Sequence, residues 1–174
     1  MTQIDLISLA LLKLGEKPIA ALDENSAAAM LAAAVWDMTI DNLTAAHPWR
    51  FATMKYDLTR SASGGFAIPT DVLRIISCSE SNFEIIGNEI FTAAENIKII
   101  AIAKKSCEFF PSHFIGVAAT KLAMEFCMPL TGDQNLFRTL SGLYELELAN
   151  AKFIDSSNSP IRGIQNFPLI GVRG

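Results

Sequence analysis

Two histidines, three cysteines and a scatter of carboxylates are the residues of this 174-residue chain with reactive side chains. His47 precedes Pro48 and Trp49 at a predicted helix end, a position that suits a C-cap or a packing residue. His113 falls in the first turn of a predicted apolar helix, and neither histidine stands near a cysteine or carboxylate at metal or triad spacing. Cys78, Cys107 and Cys127 are far apart and odd in number, so the sequence predicts no disulfide framework and no zinc ribbon; they read as small buried hydrophobes. Glu145 and Glu147, two apart on a predicted helix, point away from each other and read as solvated. A glycosidase-like acid pair among the 18 carboxylates would depend on separation in space, which spacing in sequence does not show. Gly163, Gly171 and Gly174 lie in a breaker-rich segment and not between a strand and a helix, so no phosphate-cradling loop is expected. Lys104-Lys105 is the one adjacent basic pair and reads as a strand end facing water. Trp49, Phe51 and Tyr56 fit a sheet-to-helix core better than a base-stacking platform. These residues predict no catalytic centre, no metal and no cofactor.

The elements that position them follow from composition and periodicity. Hydrophobic residues make up 51% of the chain and charged ones 18%, which excludes a disordered protein and demands a core. The longest uninterrupted apolar run, Ala27 to Trp36, spans only about 15 Å as a helix against the roughly 30 Å of a bilayer core, so no membrane span is expected. Asp5 stands where a secretory signal carries basic residues, and the protein is expected to stay in the compartment where it is made. A net charge of −4 makes a poor footprint for wrapping nucleic acid. Ile4, Ile7, Leu11 and Leu14 define a first helix that Gly15 ends. Asp23 to Ser26 offer N-caps for a long helix to about Ala46. That helix has two apolar stripes, one of Leu31, Val35, Met38 and Ala45 and one of Trp36, Ile40 and Leu43, and hence two packing partners.

From Phe51 the period changes to two. Strands are predicted at 51–58, 72–78, 83–86, 89–91 and 97–103, with Gly87-Asn88 as a tight hairpin turn and Lys98 and Lys104 on the wet side, giving one antiparallel sheet of four or five strands. Pro111 and Ser112 open an apolar helix to about Pro129 that reads as central in the bundle. A last helix runs to about Asp155 with Phe137, Leu140, Tyr144, Leu148 and Ala151 on one face. Trp36, Trp49, Phe51, Phe114 and Tyr144 are the expected core aromatics. The fold class is therefore α+β: a four-helix bundle from 1–50 and 107–155, an inserted antiparallel β-subdomain at 51–106, and an extended tail at 156–174. The tail carries two arginines and no acid, leaving the body with 12 basic against 18 acidic residues.

The ordered segments resemble a known family. Leu14-Gly15-Glu16, Leu22-Asp23-Glu24, the long helix and His47-Pro48-Trp49-Arg50-Phe51-Ala52 are similar to the head-to-tail adaptors of tailed bacteriophages, called tail tubular protein A or tail accessory factor in short-tailed phages. The similarity continues through Ile68-Pro69-Thr70-Asp71-Val72-Leu73-Arg74-Ile75, Phe109-Phe110-Pro111-Ser112-His113-Phe114 and Pro129-Leu130-Thr131-Gly132-Asp133. The resemblance implies a structural virion protein of the neck or tail, assembled in the host cytoplasm. It implies a homo-oligomeric ring of about twelve copies that joins the portal protein to the tail nozzle or tail tube and lets DNA pass without specific binding. Twelve times −4 is roughly −48, and a like-charged lumen keeps DNA from sticking. In that setting Ile161, Ile164, Phe167, Leu169, Ile170 and Val172 are the expected apolar anchors of the tail on a neighbouring subunit or the portal, and Arg162 and Arg173 its charged partners. The competing expectation is a virion-associated peptidoglycan hydrolase acting as DNA enters the cell.

Overall fold

The structure, a computed structural model, describes residues 1–157. Four helices and two small antiparallel sheets make an α+β fold, in the element order expected. Helix α1 (Gln3–Lys13) begins at a capping box in which Thr2 and Asp5 satisfy each other's backbone N–H groups at 2.8 and 3.2 Å. It ends in a Schellman turn: Gly15, at φ +76°, donates its N–H to the Leu12 carbonyl and Glu16 donates to Leu11. Helix α2 (Ala27–Ala45) starts at Ser26, whose hydroxyl accepts the Ala29 N–H at 3.2 Å.

Helix α3 (Ser112–Thr131) passes Pro129 and stops at Gly132, in the left-handed region at φ +65°. A proline in the last turn removes one N–H without ending the helix there, because its own φ is already helical. Asp133 then caps helix α4 (Gln134–Ser157) by accepting the N–H groups of Asn135 and Leu136 at 2.8 and 3.0 Å. Helix α3 packs on α1, α2 and α4 and buries Phe114, Val117, Leu122 and Phe126, among others. By length and composition α3 is the one described helix long and apolar enough to cross a bilayer, which the count of uninterrupted apolar residues did not show; half of its most apolar window is buried against its neighbours. Helix α2 meets α3 and also the strands at Val72–Cys78 and Asn96–Ala103. Its predicted stripe of Leu31, Val35, Met38 and Ala45 is not a buried one: Met38 is exposed and the other three are half-buried.

The β region holds six strands in two three-stranded sheets, not one sheet of four or five. The first, in the order β1–β6–β3, pairs β1 (Thr53–Thr59) with β6 (Asn96–Ala103) in the register Thr53 to Ile102 and Thr59 to Asn96. Strand β3 (Val72–Cys78) lies on the other side of β6, with two register shifts. The second sheet, β2–β5–β4, is built on β5 (Glu89–Phe91) between β4 (Glu84–Ile86) and the two-residue β2 (Phe66–Ala67), whose length gives no periodicity to read. Gly87 takes φ +60° at the hairpin, as expected.

Two cores result. Ile97, Ile99 and Ala101 of β6 pack with Leu58, Phe66 and Ile90, while Ile102 and Ala52 join the bundle core. Opposite faces of β6 thus enter different cores, which is the physical tie between bundle and sheets. Cysteines follow this division: Cys127 is buried, but Cys78 and Cys107 are half-buried, against the expectation of three buried thiols. Burial pushes the Cys107 thiol pKa up.

Candidate functional site at the bundle and sheet junction

Where α2 gives way to β1, the chain runs through Trp49, which is fully buried. Its ring sits edge-on to His47 at 4.6 Å and to Phe114 at 5.2 Å, and Phe51 stands 4.8 Å from Phe114. The indole N–H donates to the Leu43 carbonyl at 3.0 Å, satisfying an acceptor that the end of α2 leaves open. Of the five expected core aromatics, Trp36, Trp49 and Phe114 are buried, while Phe51 and Tyr144 are half-buried. Lys121 lies over the Tyr144 ring at 5.8 Å.

Beside Trp49 lies a group that spacing in sequence did not single out. Asp155, in the last turn of α4, is the one buried acidic or basic side chain among the described residues. Its two oxygens accept the Arg50 backbone N–H at 3.2 and 3.3 Å. His47 Nε2 approaches Oδ2 at 3.6 Å and His113 Nε2 approaches Oδ1 at 3.8 Å. His47 is thus a packing residue on Trp49 that also faces a carboxylate, while the C-cap of α2 is Ala46. Burial holds the His47 imidazole below its ordinary pKa of 6.5, with Asp155 pulling the other way and Lys152 and Arg74 adding to the decrease. His113 Nε2 is buried without a hydrogen-bond partner. Both imidazoles lie beyond hydrogen-bond distance, so the hydrogen bonds of this geometry run from the Arg50 backbone N–H to Asp155 and tie α4 to the segment that leads into β1. Among the described residues no group of three His, Cys, Asp or Glu side chains is placed to hold a metal ion. An acid near a helix C-terminus opposes the macrodipole, and that is the one sequence signal that could have drawn attention to Asp155.

Two further ionic contacts differ from expectation. Lys104 does not simply mark the wet side of β6: it bridges Asp37 at 3.0 Å and Asp41 at 3.1 Å on α2, and these hydrogen bonds raise its pKa. The bridge forms one wall of an open groove of about 720 Å³ floored by Trp36 and Ile40. Glu147 is not solvated as Glu145 is. It accepts the Thr120 hydroxyl and, at 3.4 Å, the Lys13 ammonium, because α3 and α1 close over that side of α4.

The bundle also leaves apolar surface open. Met30 and Met38 of α2 are 61% and 56% exposed, and Leu146 and Phe153 of α4 are each 72% exposed. The expected tail contacts, Ile161, Arg162, Ile164, Phe167, Leu169, Ile170, Val172 and Arg173, lie outside the described residues. The chain matches no protein-family model and no curated protein.

Proposed function

We propose that this chain is a structural head-to-tail adaptor of a tailed-bacteriophage virion, a ring-forming connector that joins the portal to the tail and lines part of the DNA channel. The observation that carries the reading is the apolar surface left exposed on two different helices of the bundle. Met30 and Met38 on α2 and Leu146 and Phe153 on α4 are large, exposed and separated, as a heterologous interface between successive copies requires. The ordered motifs support it: His47-Pro48-Trp49-Arg50-Phe51-Ala52 forms the joint between the bundle and β1, and Pro129 to Asp133 covers the last turn of α3 and the two-residue link to α4. A body in which acids outnumber bases by 18 to 12 suits a conduit that DNA must traverse without adhering. The proposed partners are the portal protein, the tail nozzle or tube protein, and further copies of the chain.

Electron microscopy tests this directly. The purified protein, mixed with a portal protein from the same genome, should add a ring of density to the portal's tail-facing side. Failure to bind that portal under any assembly condition refutes the adaptor reading.

A further inference from the structure

The outer strands of the two sheets are β1 and β3 in one and β2 and β4 in the other, and three of these edges carry features that oppose further pairing. Strand β1 has exposed Lys55 and Asp57, and β3 is broken by its two register shifts. The two-residue β2 is bridged to Arg60 just past β1 and runs into Pro69. Strand β4 keeps a regular register and has no proline, and its adjacent Ile85 and Ile86 are 51% and 60% exposed.

Register fixes which way the β4 main chain points. Hydrogen-bonded pairs alternate along an antiparallel ladder. The Ile68 N–H donates to the Asn88 carbonyl at 2.9 Å, so the next bonded pair on that side is Phe66 with Ile90, which leaves Glu89 to bond Ile86 on the β4 side. Ile85, opposite Ile90, therefore turns its N–H and C=O away from β5, to the open side. Its side chain lies on the Ile90 face of the sheet, and those of Glu84 and Ile86 lie on the other.

Charge selects the occupant. From Ile75 to Ile97 the chain carries the acids Glu80, Glu84, Glu89 and Glu95 and no lysine or arginine. Glu89 is engaged by the Ser61 and Ser63 hydroxyls at 3.0 and 2.6 Å, and Arg60 donates to the Thr92 and Ala94 carbonyls. Glu84 is exposed and, among the described residues, meets no cation. A second copy of β4 set antiparallel about Ile85 would place each Glu84 opposite an isoleucine and leave both charges unanswered, whereas a strand with a base at that position pairs it.

We propose that the free edge of β4 is a docking site for an extended segment of a partner protein, added antiparallel, with apolar residues opposite Ile86 and Ile85 and a lysine or arginine opposite Glu84. In that strand's own direction the pattern is apolar, apolar, basic. The residue facing Ile85 exchanges main-chain hydrogen bonds with it, and the flanking side chains give the specificity. The proposal stands on the hairpin and its charge and does not rest on the adaptor reading.

Nuclear magnetic resonance of the full chain, titrated with a capped peptide of valine, valine and lysine in tandem repeat, tests it. Amide shifts should saturate and centre on residues 84–86, and the Ile85 amide should exchange about tenfold more slowly in the complex. High salt should weaken the complex. Ile85→Pro removes the outward donor but no hydrogen bond of the hairpin, and it should abolish binding while leaving the circular dichroism unchanged. Glu84→Lys should abolish binding of the lysine peptide and confer binding of its counterpart with glutamate in place of lysine. An absence of shifts at about millimolar peptide overturns the proposal, as do shifts centred elsewhere, equal binding of the two peptides by the native chain, or binding that survives both substitutions. Shifts at 84–86 that grow with protein concentration in the absence of peptide overturn it in favour of a second copy.

Discussion

Replacing Trp49 with alanine empties the most crowded point of the molecule. The indole is fully buried, meets His47 and Phe114 edge-on, and supplies the N–H that satisfies Leu43. Truncating a buried aromatic costs about 3–5 kcal/mol. The stranded Leu43 carbonyl adds about 1 kcal/mol. At about 2–4 °C per kcal/mol for a chain of this size, the melting midpoint should fall by roughly 8–24 °C. Trp49→Phe helps to separate the two contributions, because it keeps an aromatic ring while losing the donor and part of the buried volume; it should cost about 1–3 kcal/mol. Urea unfolding followed by far-ultraviolet circular dichroism gives both values without depending on the fluorescence of the residue removed. A Trp49→Ala loss below about 1 kcal/mol refutes the reasoning, and so does a Trp49→Phe loss as large as that of alanine.

Asp155→Ala should cost about 1–3 kcal/mol in the same assay, by removing the carboxylate that accepts the Arg50 backbone N–H, whereas Asp155→Asn, which keeps an acceptor, should cost less. Because burial holds the His47 pKa below 6.5, the unfolded chain binds more protons than the folded one in the window below that value. Stability should therefore be fullest above pH 6.5 and decline as pH falls toward the folded-state pKa, and urea midpoints measured across that window should show a smaller decline in His47→Gln. Lys104→Ala breaks two contacts to Asp37 and Asp41 that are open to solvent, and it should shift the unfolding free energy by less than about 1 kcal/mol, with the shift shrinking in high salt. Tyr56, raised to about 12 by burial and by its hydrogen bond to Asp71, should titrate later than a free phenol in an ultraviolet pH titration, and Asp71→Ala should bring it earlier.

Local pattern carried most of the secondary structure. Ser26 as a cap, Gly15 and Gly132 as stops, the β-branched run of β3 and the Gly87-Asn88 hairpin each act within a few residues, so their effect was legible in the order of the amino acids. The central position of α3 followed from its nearly continuous apolar circumference. The second sheet was not legible, because β2 is two residues long and its pairing with β5 depends on a distant segment.

Charge partners and exposure belong to the tertiary structure for the same reason. Asp155 meets Arg50, His47 and His113 only because α4 returns beside α3 to the point where α2 ends. Lys104 meets Asp37 and Asp41 only because β6 finishes against α2, and Glu147 is half-buried only because Thr120 and Lys13 reach it. Periodicity states that a face is apolar but not what covers it. By itself the sequence determined that there are four helices, a β region between the second and third, and too much apolar surface to leave bare. Which of that surface is core and which remains open, at Leu146 and Phe153 above all, was decided by how the helices pack. Packing brings together residues far apart in the chain, and no local repeat encodes their distance.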